Sequence, residues 1–377
     1  MRVILDIRPM LEEKRSGVAN YTARLLRALL DRPPVAGRDY ALFCNAYGRT
    51  LPADLPAAAP HVERHFSRYP NRLLNAAFAF AGRPLLEGLC AGADAIYLPN
   101  LNFVATAKPL VATVHDLSFE RYPRFFSAKQ RLWHRLIRPR SLLRRAAFTV
   151  AVSEHTKTDL VESYGLDPDR IAVINPGVGP EFAPAGEAEK EQVRRKYGLD
   201  GEYFLYLGTI EPRKNVGGLI DAFDRLGGKT RLVIAGSRGW LCRDIFRQAA
   251  RSPAAERIRF LDRVADGDQP ALYSAAAALV YPSFYEGFGM PPLEAMACGT
   301  PVIVGHASSL GEVAGDAGLM VDPYDVGEIA DAMKAVLEEP GLGRLLGGRG
   351  RQRAARFTWE ESAARLDRLF ARLEGAK

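Results

Sequence analysis

Short apolar runs recur along this chain with helical patterns between most of them, and that alternation leaves few folds open. The first series comprises residues 2–7 (RVILDI), Tyr40–Cys44, His61–Phe66, Ala95–Leu98, Leu110–Val114, Phe148–Val152 and Ile171–Ile174. The second opens at Tyr203–Leu207 and continues through Arg231–Ala235, Arg257–Leu261, Ala278–Tyr281, Pro301–Val304 and Leu319–Val321. Apolar runs this short, spaced by helices, read as strands of a mostly parallel sheet covered on both faces. Between the series lies Pro176–Asp200, with PGVGPEFAPAG and the charged run EAEKEQVRRK. A chain of 377 residues exceeds what one core ordinarily serves. Two α/β domains are therefore expected, residues 1–178 and 179–357, followed by a closing segment, 358–377. Thr358 opens that segment as a helix cap, with Glu361 at capping-box spacing.

Composition excludes several classes. Hydrophobic residues at 47% and charged residues at 25% are ordinary for a globular protein. Cys44, Cys90, Cys242 and Cys298 show no CxxC pair and no ligand spacing, so buried free thiols in a reducing compartment are expected. The opening MRVILDIRP runs directly into a strand pattern, and no segment approaches the roughly 20 apolar residues that span a bilayer. The expected location is cytoplasmic. A net charge of +7 suits nucleotide diphosphates, anionic lipid or nucleic acid, and composition alone does not choose among them.

The most informative stretch is Tyr281–Val304, YPSFYEGFGMPPLEAMACGTPVIV. It reads as a strand end, a turn rich in Gly and aromatic residues, Pro-Pro in the first turn of a helix, and the next strand. Gly287 and Gly289 let backbone approach a ligand closely, and a helix start offers N–H groups and a positive dipole end to an anionic or hydroxyl-rich partner. This stretch resembles the signature of the family 4 glycosyltransferases almost letter for letter. That resemblance implies the GT-B fold, two Rossmann-like domains facing each other across a cleft, with the closing helix crossing back to the first. It also implies that Glu286 holds hydroxyls of the transferred sugar, that Glu294 holds the nucleotide ribose, and that Gly287, Phe288, Gly289 and Met290 line the donor.

Transfer from a sugar nucleotide requires neutralisation of a diphosphate leaving group, for which cations and oriented dipoles serve when no metal is present. Arg213 and Lys214 in YLGTIEPRKN stand between a strand and a helix, where such cations are needed. Family members usually carry an Arg directly after the strand's Gly; here Thr209 follows Gly208, which shifts weight onto Arg213. By the same resemblance Gly17, in the loop after the first strand, lies against the diphosphate. Gly236 and Ser237 take a strand-end place beside the donor, and Arg263 and Val264 meet the nucleobase. His115 in TVHDLSF matches a family His that points into the cleft; a structural histidine is the other reading, and Asp116 either orients it or caps the next helix. Asp167-Pro-Asp169 and Asp266-Gly-Asp268 fit turn caps, so no catalytic metal and no cofactor are expected. Walker, GxGxxG and nucleophile-elbow motifs are missing from the sequence.

Residues 121–145 hold nine Lys or Arg and no Asp or Glu. Arg131, Arg135 and Arg138 share one helical face while Leu132, Trp133, Leu136 and Ile137 fill another. Two readings stand: a basic amphipathic helix at an anionic membrane surface, or a solvated face over a buried one. Phe119, Phe125 and Phe126 are candidates for an acceptor cleft. The runs GVANYTARLL and VHDLSFERYP are similar to the mannosyltransferase-like branch that builds surface polysaccharide. This resemblance implies a retaining hexosyltransferase with GDP-mannose as first donor and a UDP-hexose as second, acting on a glycan or lipid-linked acceptor at the inner membrane face. It also implies a front-side path in which the leaving phosphate accepts the acceptor's proton. A silent nucleotide-sugar binder is the alternative, opposed by the intact Glu286, Glu294, Arg213 and Lys214; no nucleic-acid module is recognised.

Overall fold

The computed structural model describes residues 1–11, 16–46 and 60–375. It divides into two compact units, one of residues 1–117, 128–177 and 359–377, the other of residues 118–127 and 178–358. The segment 118–127, read from sequence as part of the first domain, is thus gathered into the second unit.

In the first unit seven parallel strands take the order β3-β2-β1-β4-β5-β6-β7. They are β1 (Arg2–Asp6), β2 (Asp39–Asn45), β3 (Val62–Ser67), β4 (Ala95–Leu98), β5 (Leu110–Val114), β6 (Phe148–Ala151) and β7 (Ile171–Val173). Val3, Ile4, Leu5, Ile96 and Val111 are fully buried, as strands covered on both faces require. The edge strand β3 instead exposes Glu63 and Arg64, charges that discourage further strand pairing.

The helix Gly17–Leu30 is capped by Ser16, whose side chain accepts from Ala19 N–H, and buries Tyr21, Leu25, Leu26 and Leu29. The last helix, Trp359–Gly375, packs against it by burying Trp359, Ala363, Leu366 and Phe370, a stripe at helical spacing. Phe370 lies edge-on to Tyr97, and the buried Arg38 before β2 is held by Asp367 and Glu374. These contacts belong to the first unit's core, on which the closing segment was expected to pack.

The second unit contains six parallel strands in the order β10-β9-β8-β11-β12-β13. They are β8 (Tyr203–Leu207), β9 (Arg231–Ala235), β10 (Ile258–Leu261), β11 (Ala278–Tyr281), β12 (Val302–Gly305) and β13 (Leu319–Val321). Strand order reverses direction between β8 and β11, so the connections leaving these neighbours run to opposite sides. Open α/β sheets take ligands in the crevice beyond the carboxyl ends of such a pair. All four cysteines are free and buried. No helix among the described residues is long and apolar enough to cross a membrane.

Candidate active site

Two loops meet beyond β8 and β11. After β8 the chain makes a short 3-10 turn, Pro212–Lys214, then enters the helix Val216–Asp224 through Asn215, whose side chain accepts from Gly218 N–H. After β11 the loop carries Ser283 to Gly289. The two are joined by a backbone bond in which Phe284 N–H donates to Arg213 C=O at 3.0 Å.

That junction brings four charges together, two buried carboxylates and two largely covered cations. Lys214 Nζ donates to Glu286 Oε1 at 2.5 Å and to Tyr281 OH at 2.8 Å. Arg213 Nη1 donates to Glu286 Oε2 at 3.0 Å and to Tyr285 C=O at 2.6 Å, while Nη2 reaches Glu211 Oε1 at 2.7 Å. Burial would push the Glu286 carboxyl up, yet Arg213 and Lys214 outweigh it and hold its pKa at about 2. Glu286 is therefore an acceptor of hydrogen bonds at any ordinary pH, not a proton donor. Burial, followed by the charge of Arg213, pulls the Lys214 ammonium below its usual pKa. Glu211 is raised chiefly by burial.

The sequence pointed to Glu286, Arg213 and Lys214 but not to Glu211, which is 2% exposed and fixes the far edge of the Arg213 guanidinium. Arg213 is thereby turned onto protein carboxylates on both sides, and Lys214 is the more readily redirected cation. Two serines on the loop after β12 were also missed. Ser308 Oγ accepts from Glu286 N–H at 2.8 Å, and Ser309 Oγ donates to the carbonyls of Glu286 and Phe288 at 2.9 and 2.8 Å. Ser308 sits at φ +63°, in the left-handed region where a non-glycine residue costs about 1–2 kcal/mol.

The other donor candidates line the same carboxyl edge of the second sheet. Gly208 follows β8, and Gly236 with Ser237 follows β9. A Cβ on Gly236 would fall 2.0 Å from the Gly208 carbonyl oxygen, so only glycine permits that approach. Past β10, Arg263 is exposed beside Asp266, and Val264 is buried. Gly289 precedes the helix Met290–Ala297 at φ +114°, where a Cβ would meet Leu310 Cδ2 at 2.7 Å. The expected row of free N–H groups at this helix start is reduced, because Pro291 and Pro292 have none. Of the first three helical residues only Met290 keeps a donor. Phe288 is buried against Phe357, with ring centroids 5.7 Å apart. Glu294, one turn into the helix, accepts from the buried Tyr273 hydroxyl at 3.0 Å.

Gly17 and His115 belong to the first unit. Gly17 begins its helix with open space where a Cβ would stand. His115 bonds the Pro99 carbonyl through Nε2 at 2.8 Å, which places the proton on that nitrogen, and its ring meets Tyr21 edge-on at 4.7 Å. Burial lowers its pKa, so the imidazole is neutral near pH 7. Phe125 stacks on Phe284 and Phe126 on Trp240, both within the second unit. Asp167 caps its own turn, and Asp268 is engaged by Lys196 and Tyr197, both at 2.6 Å. Among the described residues no three His, Cys, Asp or Glu gather as a metal site.

Residues 189–353 match the model of glycosyl transferases group 1, and residues 15–182 that of glycosyltransferase family 4. O-antigen chain mannosyltransferase B of Escherichia coli is 36% identical over 267 residues, 70% of each chain. A sucrose-phosphate synthase from Thermosynechococcus elongatus superposes over all of both chains with a TM-score of 0.77 and 24% identity. Anabaena HepE in complex with UDP-glucose does so over 98% of this chain and 99% of its own, with a TM-score of 0.73 and 19% identity.

Proposed function

The chain belongs to the family 4, group 1 glycosyltransferases, and from that membership we propose that it moves mannose from GDP-mannose, with retention and without a metal, to a glycan or lipid-linked acceptor in surface-polysaccharide synthesis. It is a glycosyltransferase of the GT-B fold. The observation that carries the site assignment is the meeting of Glu286 with Lys214 and Arg213 beyond β8 and β11. The choice of mannose is supported by the E. coli relative's name and extent of match.

In this reading the donor diphosphate draws Lys214 away from Glu286. The carboxylate then accepts hydroxyls of the sugar, and Glu294 accepts those of the ribose. The bond from the anomeric carbon to the phosphate oxygen breaks as the acceptor oxygen bonds the same carbon from the same face. The departing phosphate takes the acceptor's proton, so neither Glu286 nor neutral His115 needs to move one. Lys214, Met290 N–H and the dipole behind it supply positive potential where the phosphate charge grows.

Release of nucleotide from GDP-mannose, UDP-glucose, ADP-glucose and dTDP-glucose, each with and without EDTA, tests this. GDP-mannose should be consumed at the same rate with chelator present. Turnover of UDP-glucose alone would replace the donor, and loss of turnover in EDTA would overturn metal independence.

We further propose peripheral contact with the anionic inner face of a membrane through residues 121–145. Within the helix Ala128–Ile137, Leu132, Trp133 and Leu136 are 54%, 39% and 37% exposed, while only Ile137 is buried. The apolar face is therefore open rather than covered, beside Lys129, Arg131 and Arg135. Reversing Arg131, Arg135 and Arg138 to Glu should cut sedimentation with phosphatidylglycerol vesicles at least tenfold and leave donor affinity unchanged; undiminished sedimentation rejects this face.

A further inference from the structure

We infer that Ser308 and Ser309 are positioning residues of the transfer reaction, which clamp the backbone of Glu286 from both sides so that its carboxylate is held ready for the sugar; this rests on the role given to Glu286 above. Arg213 and Lys214 fix the side chain, and Arg213 also holds the backbone at Phe284 and Tyr285, but neither reaches the amide or the carbonyl of Glu286 itself. Ser308 Oγ takes the Glu286 N–H, and Ser309 Oγ–H spans the Glu286 and Phe288 carbonyls. With these bonds every polar group of Glu286 has a partner. Ser309 is fully buried and bonds as its place demands. Ser308 is one of five non-glycine residues at positive φ among the described residues, and the one whose side chain bonds Glu286. It adopts a left-handed backbone conformation, which glycine would occupy without strain, and from there sends its hydroxyl to the Glu286 amide. Strain kept where a strain-free residue is available, combined with a hydroxyl bonded to the Glu286 amide, points to work done by the side chain.

Ser308→Gly and Ser308→Ala separate the two roles. Both lose the hydroxyl, but glycine relieves the backbone strain while alanine keeps it. The glycine variant should melt at or above the wild-type temperature and the alanine variant at or below it. Turnover of GDP-mannose should fall about tenfold in both, with donor KM within twofold of wild type. A glycine variant with full turnover, or activity that follows melting temperature, overturns the inference. Amide hydrogen exchange at Glu286 in the full chain gives a reading independent of any donor. Exchange should accelerate at least tenfold in both variants, and unchanged protection would also overturn the clamp. If wild type consumes none of the four nucleotide sugars, the proposed function fails while the exchange result still decides the clamp.

Discussion

Glu286→Ala is expected to lower turnover by about a thousandfold, roughly 4 kcal/mol of lost transition-state stabilisation. The same change takes the carboxylate from Lys214 and leaves Arg213 paired with Glu211, and breaking a buried pair from one side typically costs about 3 kcal/mol of stability. Glu286→Gln keeps the volume and isolates the charge. Its stability deficit should depend on pH with a definite sign. The carboxyl is lowered from 4.5 to about 2 by folding, so its stabilisation is complete above pH 4.5 and disappears as pH falls toward 2. Melting curves of wild type and Glu286→Gln should therefore converge between those values. A constant gap would refute the lowered carboxyl pKa, and near-normal turnover in either variant would remove Glu286 from the reaction.

Lys214→Ala is expected to weaken GDP-mannose binding about a hundredfold, near 2.7 kcal/mol. Arg213 is committed to Glu211, Glu286 and the Tyr285 carbonyl, so it is poorly placed to substitute. Because burial and Arg213 lower the Lys214 pKa, wild-type donor affinity should decline on the alkaline side before pH 10.5. Lys214→Arg should move that decline upward, since a guanidinium does not titrate there. Calorimetric titration of donor across pH measures both effects. Equal affinity in wild type and Lys214→Ala would assign the diphosphate to another group.

Much of this was legible in the chain itself. Parallel strands buried on both faces must be short continuous apolar runs, and all thirteen expected runs are strands with ends displaced by one residue or so. The Glu286 loop was equally readable because its Gly, Pro and Glu stand within one contiguous stretch. Ser308, Ser309 and Glu211 were not. Their importance arises from strand order, which sets the loops after β8, β11 and β12 side by side although some 70 residues of chain separate the first two. No local pattern announces that a serine will meet an amide 22 residues earlier. Residues 118–127 escaped for a similar reason, since their aromatic side chains find partners at Trp240 and Phe284, far along the sequence. Pro291 and Pro292 are visible in the sequence, and each removes a donor that a helix start would otherwise offer.

The chain's passages between units bear on how such enzymes can be recombined. It changes unit at 117/118, 127/128, 177/178 and 358/359, so an exchange that respects both cores needs four junctions. A chimera joined once near residue 178 would bring a foreign last helix to Gly17–Leu30 and foreign partners to the Phe125 and Phe126 rings. For this chain, a swap that keeps each unit's own segments together therefore disturbs fewer packed contacts than an exchange of sequence halves.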